Sequence, residues 1–230
     1  MCSSADDNCH IQVDLCIHIQ KEGGLKMTIK QRKRNQILSF MATIPIVSTV
    51  QVEYFFKEYG SPKKRASELL CEMQEEKLVE GKNREIGKTK IWRLTKHSRD
   101  LMGITRRPTP LTYRNIDHIL SIGDVYLEVL DSGTLRSFQY EIREKNKEGN
   151  FKIYCPDAFV QTDTTSFFLE VQRSPLSRTN WLEKWKVAKA YFKENPSTPI
   201  ITISQQRKEI VSFGAEGLPL SVVKTIKEII

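Results

Sequence analysis

From Thr28 onward the apolar residues recur at helical spacing. In KQRKRNQILSFMATI, Ile37, Leu38, Met41 and Ile44 fall on one side of a helix behind a basic head. STVQVEYFFKEYG repeats the pattern with Val52, Phe55, Phe56 and Tyr59, and Gly60 stands where a helix stops. SPKKRASELLCEMQEEKL offers Ser61 as an N-cap and Pro62 at the first helical position, with Ala66, Leu69, Leu70 and Met73 on one stripe. LVEGKNREIGKTKIWRLTKHSRDLM then changes period. Leu78 and Val79, a turn rich in Gly and Lys, and Ile91, Trp92 and Leu94 read as a β-hairpin.

Three helices followed by a hairpin, with cations at the start of the third helix and along the hairpin, predict a winged helix-turn-helix. Lys63, Lys64, Arg65 and Ser67 occupy the first turns of the helix that would enter a major groove. Lys82, Arg84, Lys88, Lys90 and Arg93 lie on the hairpin, where they could follow phosphates and release counterions. Such units also serve protein contacts, and surface lysines are common. Pro108 and Pro110 break any helix, so this DNA-binding domain is expected to span residues 28–108.

A second domain, 109–230, opens with a helix over 112–130 in which Ile116, Ile119, Leu120, Val125, Tyr126 and Val129 mostly share a side. Strands are predicted at FQYEIRE (138–144), FKIYCPDAFV (151–160) and SFFLEVQ (166–172), separated by the polar turns KNKEGN and QTDTT. The helix NWLEKWKVAKAYFKE carries Trp181, Trp185, Ala188 and Phe192 at helical spacing. Two further strands, PIITIS and IVSF, and a C-terminal helix ending at Ile230 complete the reading. The fold class is therefore α+β or α/β, the second domain running αβββαβ before its last elements.

SFFLEVQ contains an anomaly. Phe167, Phe168, Leu169 and Val171 suit a strand covered on both faces, yet Glu170 and Gln172 share one of those faces. A carboxylate in such a strand costs several kcal/mol unless it is paired, protonated or bound to a metal. A hairpin would bring Asp157 beside it, and two converging carboxylates favour a hard divalent cation, Mg²⁺ or Mn²⁺.

Pro156-Asp157 on one strand and Glu170-x-Gln172 on the next, within an αβββαβ order, resemble the PD-(D/E)XK nucleases, a restriction-endonuclease-like fold. That resemblance implies Asp157 and Glu170 as metal ligands and Gln172 as the residue that orients an attacking water. Gln172 stands where the family usually has a catalytic Lys. The family's helical motif adds Lys184 or Lys189 as site candidates; Lys186 and Glu128 are further, weaker ones. Together the two halves resemble the replication-relaxation proteins of plasmids and conjugative elements of Gram-positive bacteria. The resemblance implies a part in replication or in relaxation of supercoiled double-stranded DNA. Two forms stay open: a metal-dependent nuclease or nickase, and a catalytically silent DNA-binding replication or transcription factor whose second domain is a scaffold or homodimer platform.

Composition agrees with this direction. The 230 residues carry 36 Lys and Arg against 28 Asp and Glu, a net charge of +8 that suits a phosphate-bearing partner. No apolar stretch approaches the ~20 residues needed to span a bilayer, and MCSSADDNCHIQVDLCIHIQ lacks the form of a secretory signal, so a cytoplasmic protein is expected with no membrane partner. Residues 1–27 have no helical period and read as a disordered or non-native leader. KEGGLKM can be encoded by purine-rich codons resembling a ribosome-binding site ahead of Met27, which makes Met27 a candidate native start. Cys2, Cys9, His10, Cys16 and His18 are zinc-ligand types, but they lack the paired close spacing of zinc modules, and a disordered tail is the preferred reading.

Overall fold

The computed structural model describes residues 28–57, 63–85, 88–106, 111–141, 156–172, 200–204 and 222–224, with Thr179, Asn180, Leu182, Glu183 and Lys186 between them. The expectations for residues 1–27, Tyr59, Trp181, Trp185 and the strand IVSF lie outside the described residues. The chain divides into two compact units, residues 1–123 and 124–230.

In the first unit, α1 (Ile29–Thr43) starts at Thr28, whose hydroxyl accepts the Gln31 N–H and so satisfies one of the unpaired donors of a helix start. Its buried side is Ile37, Phe40 and Met41; Phe40 takes a core place where Leu38 was expected. Phe40 stacks on Phe55 of α2 (Thr49–Lys57) at 5.1 Å between ring centroids. The stripe Ala66, Leu69, Leu70 and Met73 of α3 (Lys63–Glu75) is buried as its spacing predicts. Each buried Ile, Leu, Phe or Met side chain contributes about 1.5–3 kcal/mol by leaving water, which is what holds three short helices together.

The hairpin follows as β2 (Val79–Lys82) and β3 (Ile91–Leu94), antiparallel with Gly81 opposite Trp92. A Cβ on Gly81 would lie 2.7 Å from the Trp92 ring, so glycine is what lets the indole lie against β2. A two-residue strand, β1 (Val47–Ser48), pairs with β3 on its other side and had no period to reveal it. Trp92 is 1% exposed, and its Nε1 donates to Thr49 Oγ1 at 2.9 Å. The short α4 (Lys96–Leu101) comes next, with Thr95 as its cap.

Helix α5 (Tyr113–Asp131) crosses the division between the units. Its first half belongs to the first unit, where Gln51 Nε2 donates to the Leu120 carbonyl at 2.7 Å. Gly123 gives that amide room, since a Cβ there would lie 2.8 Å from Gln51 Nε2. Gly133, at φ 70°, ends the helix, and β4 (Leu135–Tyr140) begins two residues later.

The second unit is a five-stranded sheet in the order β4, β5 (Ala158–Thr162), β6 (Ser166–Gln172), β7 (Ile200–Ser204) and β8 (Val222–Lys224). The first three strands are antiparallel, and β6, β7 and β8 run parallel. Parallel neighbours need a crossover, and the helical residues Thr179, Asn180, Leu182, Glu183 and Lys186 lie in that connection. Tyr126 of α5 meets Phe138 of β4 edge to face at 5.1 Å, seating the helix on the sheet.

Helices with one antiparallel and one mixed sheet make the protein α+β. Three expectations are corrected. The strand expected at 138–144 occupies 135–140, because the chain leaves α5 directly into the sheet. The strand expected over 151–160 is described from Ala158 to Thr162, so Asp157 precedes β5. The C-terminal helix is not formed at Val222–Lys224. These residues pair with β7, and the β-branched pair Val222-Val223 suits a strand.

Candidate functional site

Two places in the sequence drew attention as sites, and each lies within one unit. The first is the cationic face of α3 and the hairpin. Lys63, Lys64 and Arg65 form the first turn of α3, and Ser67 is exposed behind them. Lys30 and Arg34 of α1 reach across to the far end of α3, where Lys30 pairs with Glu72 at 2.7 Å and Arg34 with Glu76. Glu72 on α3 and Glu76 just past its end thus take up charge from α1, while the first turn of α3 holds three consecutive cations.

Along the hairpin most cations are engaged within the fold. Arg84 is turned inward, its side chain only 8% exposed, and pairs with Asp117 of α5. Arg93 pairs across the strands with Glu80, its register partner, and Lys88 with Glu85 at 3.0 Å. Lys90 lies over the Trp92 ring at 4.1 Å and donates to Gln74 Oε1 at 3.1 Å. Lys82 is exposed at the end of β2. Exposed pairs exchange partners at little cost, about 0–1 kcal/mol, so Lys88 and Arg93 can turn to a phosphate. Arg84 cannot do so without leaving its buried place against Asp117, which makes it an anchor of the hairpin.

The second place is the start of β5 beside β6. The paired register of β5 and β6 ends with Ala158 opposite Leu169, one residue short of both Asp157 and Glu170. There the ladder is irregular. The Asp157 N–H donates to the Leu169 carbonyl at 3.0 Å, and its Oδ2 accepts the Val171 N–H at 2.7 Å. A side-chain oxygen thus does the work of a strand carbonyl and fixes the carboxylate against the stretch that carries Glu170 and Gln172. On the opposite side, the Glu141 N–H donates to the Asp157 carbonyl at 2.8 Å. Glu141 has φ 49°, a left-handed conformation uncommon for a residue with a side chain. The sequence reading passed over it, because only the strand register brings residues sixteen apart together.

Glu170 is 2% exposed among Phe167, Phe168, Leu169 and Val171, as the apolar run around it implies. Its Oε1 is sealed from solvent and takes no hydrogen bond from a described residue, although the carboxylate as a whole is not isolated. Gln172, at the end of β6, is half-buried. In register, Thr202 of β7 stands beside Glu170 and Ser204 beside Gln172.

Among the described residues no group of three or more His, Cys, Asp and Glu side chains could hold a metal ion. Two carboxylates nevertheless match the needs of Mg²⁺, which takes one or two from the protein and fills its remaining positions with water and phosphate oxygens. Glu128 is exposed on α5 and Lys186 is exposed in the crossover; Lys184 and Lys189 lie outside the described residues. Among the described residues no helix is long and apolar enough to cross a membrane.

The sequence model described as replication-relaxation matches residues 38–202, a span that runs from the first helix through β7. No curated protein matches the chain. Among solved structures, the crystal structure of protein VC1899 from Vibrio cholerae aligns with 84% of this chain at 14% identity and a TM-score of 0.37. This chain spans about half of that protein's length, 47%, and the likeness is too loose to define a fold.

Proposed function

The chain belongs to the replication-relaxation family, and from that premise we propose that it is a cytoplasmic, double-stranded-DNA-binding protein of a plasmid or mobile element that nicks DNA with a divalent metal. In this reading the first unit is a winged helix-turn-helix. Lys63, Lys64, Arg65 and Ser67 lead α3 into the major groove, and Lys82, Lys88, Lys90 and Arg93 face phosphates. Arg84 holds the hairpin to α5 through Asp117.

The second unit is read as a PD-(D/E)XK-like domain in which Asp157 and Glu170 hold Mg²⁺ or Mn²⁺. A bound cation supplies Lewis-acid polarisation of a phosphodiester. The chain's own residues do the positioning. The Val171 N–H fixes one oxygen of Asp157. The burial of Glu170 keeps competing water away from its carboxylate, and Gln172 offers an amide to align the attacking water. Lys184 on the crossover is the candidate for neutralising developing charge.

The observation that supports the proposal is the lock of the Asp157 carboxylate on the Val171 N–H, the residue next to buried Glu170. Incubation with supercoiled plasmid and Mg²⁺ or Mn²⁺ tests it: open-circular product is expected from the wild type and none from Asp157→Ala or Glu170→Ala. For DNA binding, replacing Lys63, Lys64 and Arg65 together by Ala is expected to lower the slope of log affinity against log salt by about 2–3, close to one per lost phosphate contact. An unchanged slope removes α3 from the interface.

One observation favours a second reading. Gln172 cannot donate a proton or carry the positive charge of the usual Lys, which suits a silent DNA-binding factor whose second unit is a scaffold or dimer platform. Plasmid left intact under both metals by protein that still shifts duplex DNA would select it.

A further inference from the structure

The outer side of α3 carries a carboxylate that neither reading above uses. With Ala66, Leu69, Leu70 and Met73 turned into the core, the helical period sets Glu68, Cys71 and Glu75 on the opposite side, and all three are exposed. Glu68 is the first of them, one turn after the consecutive cations Lys63, Lys64 and Arg65. Its acidic neighbours are engaged, Glu72 with Lys30 at 2.7 Å and Glu76 with Arg34. Among the described residues Glu68 has no hydrogen bond or ion pair. Glu75 has none either, but it lies two turns further on, in the half of the helix that a helix-turn-helix leaves away from the base edges.

A lone carboxylate is an unexpected group to hold toward a polyanion. Phosphate oxygens repel it and offer no proton, so its approach is offset only where it meets a donor. The donors on the floor of the major groove are the N6 amine of adenine and the N4 amine of cytosine. Adenine sets the acceptor N7 beside its amine, and a carboxylate oxygen there faces a lone pair; cytosine presents its amine alone. The N-terminal residues of a recognition helix are the ones that reach base edges, and Glu68 directly follows the cations that would fix that end of α3 to the backbone.

Given the reading of α3 as the helix that enters the major groove, on which this rests, we propose that Glu68 is a specificity-determining residue that accepts a hydrogen bond from the N4 amine of a cytosine. The cations of the first turn then supply affinity for any duplex. Glu68 subtracts from that affinity everywhere except where a cytosine answers it, so it selects a site largely by repulsion from the others.

The test compares the full chain with Glu68→Ala and Glu68→Gln, in EDTA so that no metal-dependent cutting intervenes. A library of duplexes with a randomised core is selected for binding, and the selected and unrelated duplexes are then titrated. The wild type is expected to enrich a site with a fixed C·G pair. Glu68→Ala should lose the preference at that pair alone and bind the selected duplex about five- to tenfold more weakly. It should also bind unrelated duplex more tightly, because a repelling charge is gone, and a folding defect would not give that gain. Glu68→Gln should turn the preference at the same pair toward A·T, since a glutamine amide matches the N6 and N7 of adenine. A motif unchanged in both variants, or a wild type that binds duplex with no fixed C·G pair, overturns the proposal and leaves the DNA-binding reading in place. A wild type that binds no duplex overturns that reading and the proposal with it.

Discussion

The β2–β3 and β5–β6 hairpins treat charge in opposite ways. In the first, charged side chains stand at the rim and pair with neighbours, Arg93 with Glu80 and Lys88 with Glu85, over a buried Trp92. In the second, the carboxylate of Glu170 sits inside the apolar strand itself, and that of Asp157 is fixed by the N–H of the following residue, Val171. Rim charges can be rearranged at a cost of tenths of a kcal/mol. A buried one costs several and persists only where something requires it. The comparison teaches that the hairpin rich in charge holds it where it can be rearranged cheaply, while the hairpin with little charge holds one where it cannot.

The largest expected effect removes the support beneath the rim. Trp92→Ala takes away a fully buried indole and its bond to Thr49, and should destabilise the first unit by about 3–5 kcal/mol, measured by urea unfolding. A loss under about 1 kcal/mol would mean that the hairpin does not rest on this residue.

Glu170→Leu sharpens the contrast from the other side. Replacing the buried carboxylate by an apolar group of similar size relieves its desolvation but leaves its partner group unmet, so the second unit should change in stability by no more than about 1–3 kcal/mol, while plasmid nicking disappears. If the variant is destabilised by more than about 3 kcal/mol, Glu170 serves the fold and its burial is no sign of chemistry.

Arg84→Ala tests the one hairpin charge that behaves like a core residue. Its pair with Asp117 is shielded on one side and about a third exposed on the other. A cost of about 1–2 kcal/mol is expected, between the surface and buried limits. Lys88→Ala should cost no more than about 0.5 kcal/mol, and equal losses in the two would erase the distinction between anchor and rim.

Much of this was legible in the sequence where physics is local. The buried stripe of α3 follows from spacing alone, and β6 has the bounds Ser166–Gln172 that its apolar run predicts. The position of Glu170 could be read because one polar residue in such a run has nowhere polar to go. What escaped is non-local. Asp117 lies 33 residues from Arg84, so nothing in the KNRE turn marks that arginine as an anchor. Glu141 reaches Asp157 only through the β4–β5 register. Strand β8 was misread as helix because a short apolar stretch fits either period, and β7 decides which one forms.

The carboxylate pair is tested most directly by the electron paramagnetic resonance of Mn²⁺ titrated into the purified chain. The spectrum reports metal occupancy whether or not DNA is cut. One bound Mn²⁺ per chain is predicted, lost in Asp157→Ala and in Glu170→Ala and displaced by excess Mg²⁺. Mn²⁺ bound equally well by both variants, or not bound by the wild type, would contradict the account.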